Sequence, residues 1–286
     1  MKPNTRISAD LVENSDRFSD PFFQRFELRQ SPQPLELKSG ITKAYSFPTF
    51  YGDVTSAIAI FLCDYQRAES LMPHPSMKPM KMPRGRSVVL FSCVEYKNVM
   101  NISPYNEVVM TLPVMVGGGA NPLVLPLVKD YKNKGYYVFS MPVTSLENQI
   151  RGREIWGLPK VLEEIEITVD DTCCSTIVRD EMGEAYFELS VPTTGKHKHF
   201  DETGYLYSLK DGALLKSRND FKGDFEISTD FSLLWRKDRK TPNPVLRLGT
   251  SDRADVLRNL RIEEAPFQFR FAASMNSCFD LPLENW

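Results

Sequence analysis

The chain has 286 residues, 42% of them apolar and 25% charged, with a formal net charge of −2. This is the composition of an ordinary soluble protein of one large domain or two small ones. The near-neutral balance excludes the basic excess of a nucleic-acid surface or a polybasic membrane patch, and no apolar run approaches the roughly 20 residues of a membrane helix.

Residues 1–40 are polar and broken by prolines, as in DPFFQRF and QSPQPLELKSG. They predict an arm over the surface, followed by a single domain over 41–286. The opening MKPNTRISADLVENSDRF lacks the apolar core of a secretory signal, and Ser8-Ala9-Asp10 predicts a helix start for LVENSDRF. Strand signals begin at Ala57 with AIAIFLC. DYQRAESLM at 64–72 predicts a short helix, and the strands RSVVLFSCVEY and EVVMTLPVMV come next. Gly117-Gly118-Gly119 has no Lys-Ser/Thr after it and so lacks the phosphate-cradle pattern; it predicts a hairpin tip or a lid over a cleft.

GYYVFSM predicts the next strand, and TSLENQIRGREIW a helix capped by Thr144 or Ser145. EEIEITV follows, then STIVRD and EAYFELSV around the turn Glu181-Met182-Gly183-Glu184, a polar loop GKHKH, and LYSL and ALLKS around Asp211-Gly212. GDFEISTDF, PVLRLG, a capped helix SDRADVLRNL and the strand PFQFRFAASM complete the chain. Short strands with few helices predict a mainly β (α+β) fold, an antiparallel barrel or sandwich, and argue against a doubly wound sheet.

Metal and nucleophile patterns are weak. The three histidines are His74, in a proline-rich turn, and His197 and His199, in GKHKH, with no third ligand at a recognisable spacing. No G-x-S-x-G elbow is present. The five cysteines are unpatterned, and adjacent Cys173 and Cys174 point to opposite faces of a strand, so reduced thiols and a cytoplasmic location are expected.

GREIWGLPKVLEEIEI, residues 152–167, is the informative stretch. Lys160 stands between Gly157-Leu158-Pro159 and Val161-Leu162. On one reading it starts an edge strand with its stem packed and its head in water. On the other it is a nucleophile. At the ordinary lysine pKa of ~10.4 only about four amines in ten thousand are neutral at pH 7, and only the neutral amine attacks a carbonyl. An apolar pocket lowers that pKa by penalising the charged form.

Gly152-Arg153-Glu154, three residues, then Leu158-Pro159-Lys160 resembles the signature of the acetoacetate decarboxylase family, and SPYNEVVMTLPVMV is similar to its Y-x-E segment. The likeness spans about residues 40–280. It implies a β-barrel or cone, a carboxy-lyase acting on acetoacetate or a related β-keto acid, and a homo-oligomer. It implies Lys160 as Schiff-base nucleophile and Glu107 as the nearby carboxylate, with no cofactor or metal. Tyr105, Trp156 and Leu158 are expected at the substrate, and Arg153 and Glu154 to pair and hold the loop before Lys160. In this family the lysine is activated by an apolar pocket or a neighbouring cation.

Three departures bear on substrate. Val161 stands where decarboxylating members carry a second lysine, so burial alone is expected to lower the Lys160 pKa. Val54 stands at the place of a substrate-binding arginine, a role for which Arg84 or Arg86 is the expected replacement. Ser92 replaces a strand acid, and the segment between Glu107 and Lys160 is lengthened. The alternatives are an aldolase or dehydratase using the same lysine, and a barrel that binds small molecules without catalysis. The expected partner is a small keto acid, with no nucleic acid and no membrane.

Overall fold

The computed structural model describes residues 1–31, 34–117, 133–236, 240–241 and 243–284. The strands that build it are β1 (Thr49–Asp64), β2 (Arg86–Val99), β3 (Tyr105–Val116), β4 (Lys134–Val143), β5 (Lys160–Leu162), β6 (Glu164–Val169), β7 (Cys173–Arg179), β8 (Ala185–Pro192), β9 (Lys196–Lys210), β10 (Ala213–Thr229), β11 (Leu246–Leu248) and β12 (Pro266–Pro282). The helices are α1 (Tyr65–Ser70), α2 (Leu146–Trp156) and α3 (Asp255–Asn259).

Seven strands run in the order β4-β9-β10-β12-β1-β2-β3, and pairing of β3 with β4 closes them into a barrel. All neighbours are antiparallel except β4 and β9. A second antiparallel sheet, β6-β7-β8-β11, packs on the outside. The expected β-barrel is thus the observed architecture. Among the described residues no helix is long and apolar enough to cross a membrane.

Strand alternation assigns the two faces of the barrel wall. On β3, Val108, Met110, Leu112 and Val114 point outward into the core shared with Ile165, Val178, Phe187 and Leu189 of the second sheet. Tyr105, Glu107, Val109 and Thr111 point into the barrel. β3 is buried along its whole length, as a strand covered on both faces must be.

Several expectations are corrected. LVENSDRF is not an α-helix; only a 3-10 turn forms, at Ser15–Phe18. The arm is held by its aromatic rings, because Phe18, Phe22 and Phe23 bury against Phe50, Met100 and Cys278. GKHKH is not a loop but the start of β9, its histidines exposed and facing Asp224 and Glu226 across the β9–β10 pair. Polar residues on an exposed strand carry no hydrophobic alternation, so the sequence conceals the strand. ALLKS and most of GDFEISTDF belong to one continuous strand, β10. Gly118-Gly119, in the expected tip or lid, lie outside the described residues. All five cysteines are free.

Candidate functional site

The barrel encloses a cavity of about 200 Å³ whose wall includes Lys160, Glu107, Tyr105, Trp156 and Leu158, five of the seven residues expected from sequence. Lys160 reaches it through a tightly specified turn. α2 starts at Ser145, whose Oγ accepts the Asn148 N–H at 3.3 Å. It ends at Gly157 in the left-handed conformation (φ 60°), with the N–H of Gly157 bonded to Arg153 O and that of Leu158 to Gly152 O. A Cβ on Gly157 would also meet Leu209 O at 2.8 Å. Pro159 then centres a γ-turn, the Lys160 N–H donating to Leu158 O at 2.8 Å. β5 pairs in parallel with β4, Lys160 opposite Met141.

Gly152 has a specific steric reason to be glycine. Its missing Cβ would sit 2.6 Å from Cε of Lys160 and closer still to Cδ, so the helix backbone forms one wall of the channel through which the lysine stem passes. This link between the two halves of the GRE…PK segment is invisible in the sequence, where the residues stand eight apart.

The Lys160 side chain is 7% exposed and its Nζ lies 2.5 Å from Glu107 Oε2. Tyr96 donates to the other carboxylate oxygen at 3.4 Å. Thr144, just ahead of α2, exchanges hydrogen bonds of 3.0 Å with the backbone of Asn106, tying the strand that bears Glu107 to the helix that precedes Lys160. Tyr51, Tyr96 and Tyr105 stack with centroids 4.7 and 4.8 Å apart, and the ring of Tyr105 lies 5.6 Å from Nζ. Burial pushes the Tyr51 hydroxyl up to about 12 and those of Tyr96 and Tyr105 well above the usual tyrosine range, so all three are neutral donors at pH 7.

Burial also lowers the Lys160 pKa; Glu107 opposes that shift and Arg151 reinforces it. The expectation that burial acts alone is therefore corrected. Arg151 is 1% exposed and has no carboxylate paired with it among the described residues. Its Nη atoms bond Asn148 Oδ1 at 3.2 Å and Thr49 Oγ1 at 2.9 Å, its plane lies 4.3 Å from the centre of the Tyr45 ring, and Nε has no partner. A cation one turn of helix from the cavity-lining Asn148 does part of what a neighbouring lysine at Val161 would do. Sequence reasoning missed Arg151 because nothing local distinguishes it from a solvated helix arginine.

Arg84 and Arg86 are not in the cavity. Arg84 donates to Trp235 O, and buried Arg86 holds the carbonyls of Pro83, Leu233, Leu234 and Arg236 and pairs with Glu263. β2 enters the cavity at Leu90, so Arg86 stands about 13 Å further down the strand at ~3.3 Å per residue. The arginine that does line the cavity is Arg270 on β12. Val54 is fully buried in the core, whereas Ser92 lines the cavity. Arg153 and Glu154 are exposed and form no ion pair with each other among the described residues; the loop is held instead by Lys210 donating to Glu154 O, Ser208 to Trp156 O and Trp156 to Asp280 O.

The family model for acetoacetate decarboxylase matches residues 32–207, more than half of the chain. Among solved structures, an acetoacetate decarboxylase from Legionella pneumophila subsp. pneumophila str. Philadelphia 1 superposes with TM-score 0.57 at 18% identity, covering 95% of this chain and 97% of its own. The enduracididine biosynthesis enzyme MppR, complexed with pyruvate, has TM-score 0.55 at 12% identity, covering 87% and 95%. An acetoacetate decarboxylase-like enzyme from Sphingomonas wittichii RW1 has TM-score 0.52 at 12% identity, covering 89% and 100%. A search of curated protein sequences found no match. With the family model spanning most of the barrel and the fold shared across nearly the whole chain, this protein belongs to the acetoacetate decarboxylase family.

Proposed function

We propose that the protein is a Schiff-base-forming lyase that decarboxylates a β-keto acid, with Lys160 as the nucleophile and Glu107 as the proton carrier. One observation carries this reading: a lysine amine buried on a cavity wall, 2.5 Å from a carboxylate, with its pKa lowered by burial. The neutral amine of Lys160 attacks the ketone carbon. The new C–N bond gives a carbinolamine, and loss of water gives a protonated imine. The C–C bond to the carboxylate breaks, its electron pair moves into the imine as an enamine, and CO2 leaves. Protonation of the enamine carbon, for which Glu107 is within reach of the lysine, and hydrolysis of the imine return the free amine and release a ketone. Tyr105, Trp156 and Leu158 keep the amine dry.

Borohydride reduction during turnover of acetoacetate is the test. The expected result is a reduced adduct on Lys160, found by peptide mass and absent in Lys160→Ala, together with CO2 release. An adduct at another residue removes Lys160 from the mechanism.

The second reading is an aldolase or dehydratase running through the same iminium. Val161, which leaves the decarboxylases' second lysine unfilled, favours it, as does the likeness to MppR, which was also solved with a condensation product of pyruvate and imidazole 4-carboxaldehyde. A Lys160 adduct without CO2 across a panel of β-keto acids would select it.

A further inference from the structure

The cavity has two chemically different ends. At one, Lys160 and Glu107 sit among Tyr105, Trp156, Met141 and Phe279. At the other, the Arg270 guanidinium lies 5.6 Å from the centre of the Phe200 ring, and Phe221 and Phe225 continue the wall. Register along the strands sets the separation. On β12, Phe279 packs against Trp156 with centroids 5.1 Å apart, next to the Lys160 turn, and Arg270 stands nine residues earlier. On β4, Met141 is opposite Lys160, whereas Tyr136, a cavity-lining neighbour of Arg270, is five residues away, about 17 Å along the strand at ~3.4 Å per residue. Both long side chains reach inward, which shortens the gap, yet neither is among the groups whose charge shifts the other.

Arg270 is a half-buried cation that faces the cavity. Nε donates to Gln268 Oε1 at 2.5 Å, and no carboxylate pairs with it among the described residues; Glu202 acts on it only at longer range. Burial pushes its pKa down, the sign of a charge that lacks compensation. A planar fork of N–H donors facing a cavity suits a carboxylate. Apart from the two charged ends the wall includes the apolar side chains of Ile58, Leu90, Val109, Leu206 and Met275.

We propose that the substrate carries an anionic group remote from its reacting carbonyl, held by Arg270 while Lys160 takes the carbonyl, with an apolar segment between them. This rests on the imine reading of Lys160. Acetoacetate, whose carboxylate is one carbon from the ketone, does not span the two ends. The anion at Arg270 is also not the one lost as CO2, which must lie β to the imine, so a decarboxylated substrate carries two acidic groups.

The test is a ladder of methyl-ketone acids, from 3-oxobutanoate to 8-oxononanoate, assayed on the native protein for the concentration that half-saturates borohydride-trapped adduct on Lys160. The expected result is an optimum at an intermediate or long chain, at least ten-fold tighter than 3-oxobutanoate. That gain should vanish for the methyl ketone of the same length without a carboxylate, and in Arg270→Met. Half-saturation that is tightest for 3-oxobutanoate, or equal for acid and ketone at every length, overturns the remote anion while leaving the imine standing. No Lys160 adduct with any member overturns both readings. The acid-against-ketone comparison uses unmodified protein, so the result stands even if Arg270→Met does not fold.

Discussion

Among the described residues the chain buries two lysine–glutamate pairs, and they sit in different surroundings. Lys43 Nζ lies 2.9 Å from Glu147 Oε1, the same oxygen that accepts from Tyr45, and the lysine side chain is 1% exposed. Lys160 lies 2.5 Å from Glu107 with the lysine 7% exposed. By burial alone Lys43 is the drier of the two. What separates them is space: the first pair is packed between the β1 approach and α2, whereas the second faces a cavity and shares its surroundings with three neutral tyrosines. A buried amine becomes a reagent only where a substrate can stand beside it.

The sharpest way to break this contrast is to remove each lysine. Lys160→Ala is expected to abolish the borohydride-trapped adduct outright. Lys43→Met is expected to cost about 3–5 kcal/mol of stability, because Glu147 is left buried without its cation, while an adduct still forms on Lys160. Urea unfolding and adduct mass on the two variants give the answer; an adduct on Lys43 would reverse the assignment.

Next in size is Gly152→Ala. A methyl in the middle of α2 gains about 1 kcal/mol of helix propensity, but it occupies the space of the Lys160 stem. The flexible side chain yields before the helix does. The expected result is near-native stability with adduct formation reduced at least ten-fold. Equal loss of stability and adduct would mean that the glycine serves folding rather than the placement of the amine.

How much of this was legible beforehand follows from where each signal lies. Lys160 stands in a compact, turn-rich segment, so residues adjacent in sequence carry it, and Glu107 came with the resemblance. The strand signals pointed to a barrel or sandwich, because a wall with two buried faces writes long apolar runs such as EVVMTLPVMV, and the resemblance selected the barrel. Arg270 was missed although PFQFRFAASM alternates Phe267, Phe269 and Phe271 with Gln268 and Arg270: the pattern shows two faces and not whether the polar one meets solvent or a cavity. Arg84 and Arg86 drew attention by lying near the first strands, but their donors serve the carbonyls around Leu233–Arg236. Tertiary neighbours of this kind leave no local trace.

A smaller effect sharpens the contrast electrostatically. If Arg151 holds the Lys160 amine toward neutrality, Arg151→Met raises the pH at which adduct formation is half-maximal by about one unit, and Arg151→Lys, which keeps the charge, leaves it near the native value. Arg151→Gln, which keeps a polar partner for Thr49 and Asn148, replaces the methionine variant should that one not fold. A profile unmoved by loss of the charge would leave burial as the sole cause.

The smallest effect is a slope. The folded-state pKa of Lys160 lies below its unfolded value, so between the two the unfolded chain binds a proton that the folded chain does not, and stability rises with pH across that window by up to about 1.4 kcal/mol per unit. The suitable reference is Lys160→Met/Glu107→Gln, since the single variant would leave a buried carboxylate with a titration of its own. The buried tyrosines are common to both proteins and titrate above pH 10, so they cancel. Urea-unfolding free energies between pH 7.5 and 9.5 should therefore diverge, with the native protein gaining on the double variant as pH rises. A constant difference would mean that the amine keeps its proton in the fold, and that Lys160, like Lys43, is only one half of a buried ion pair.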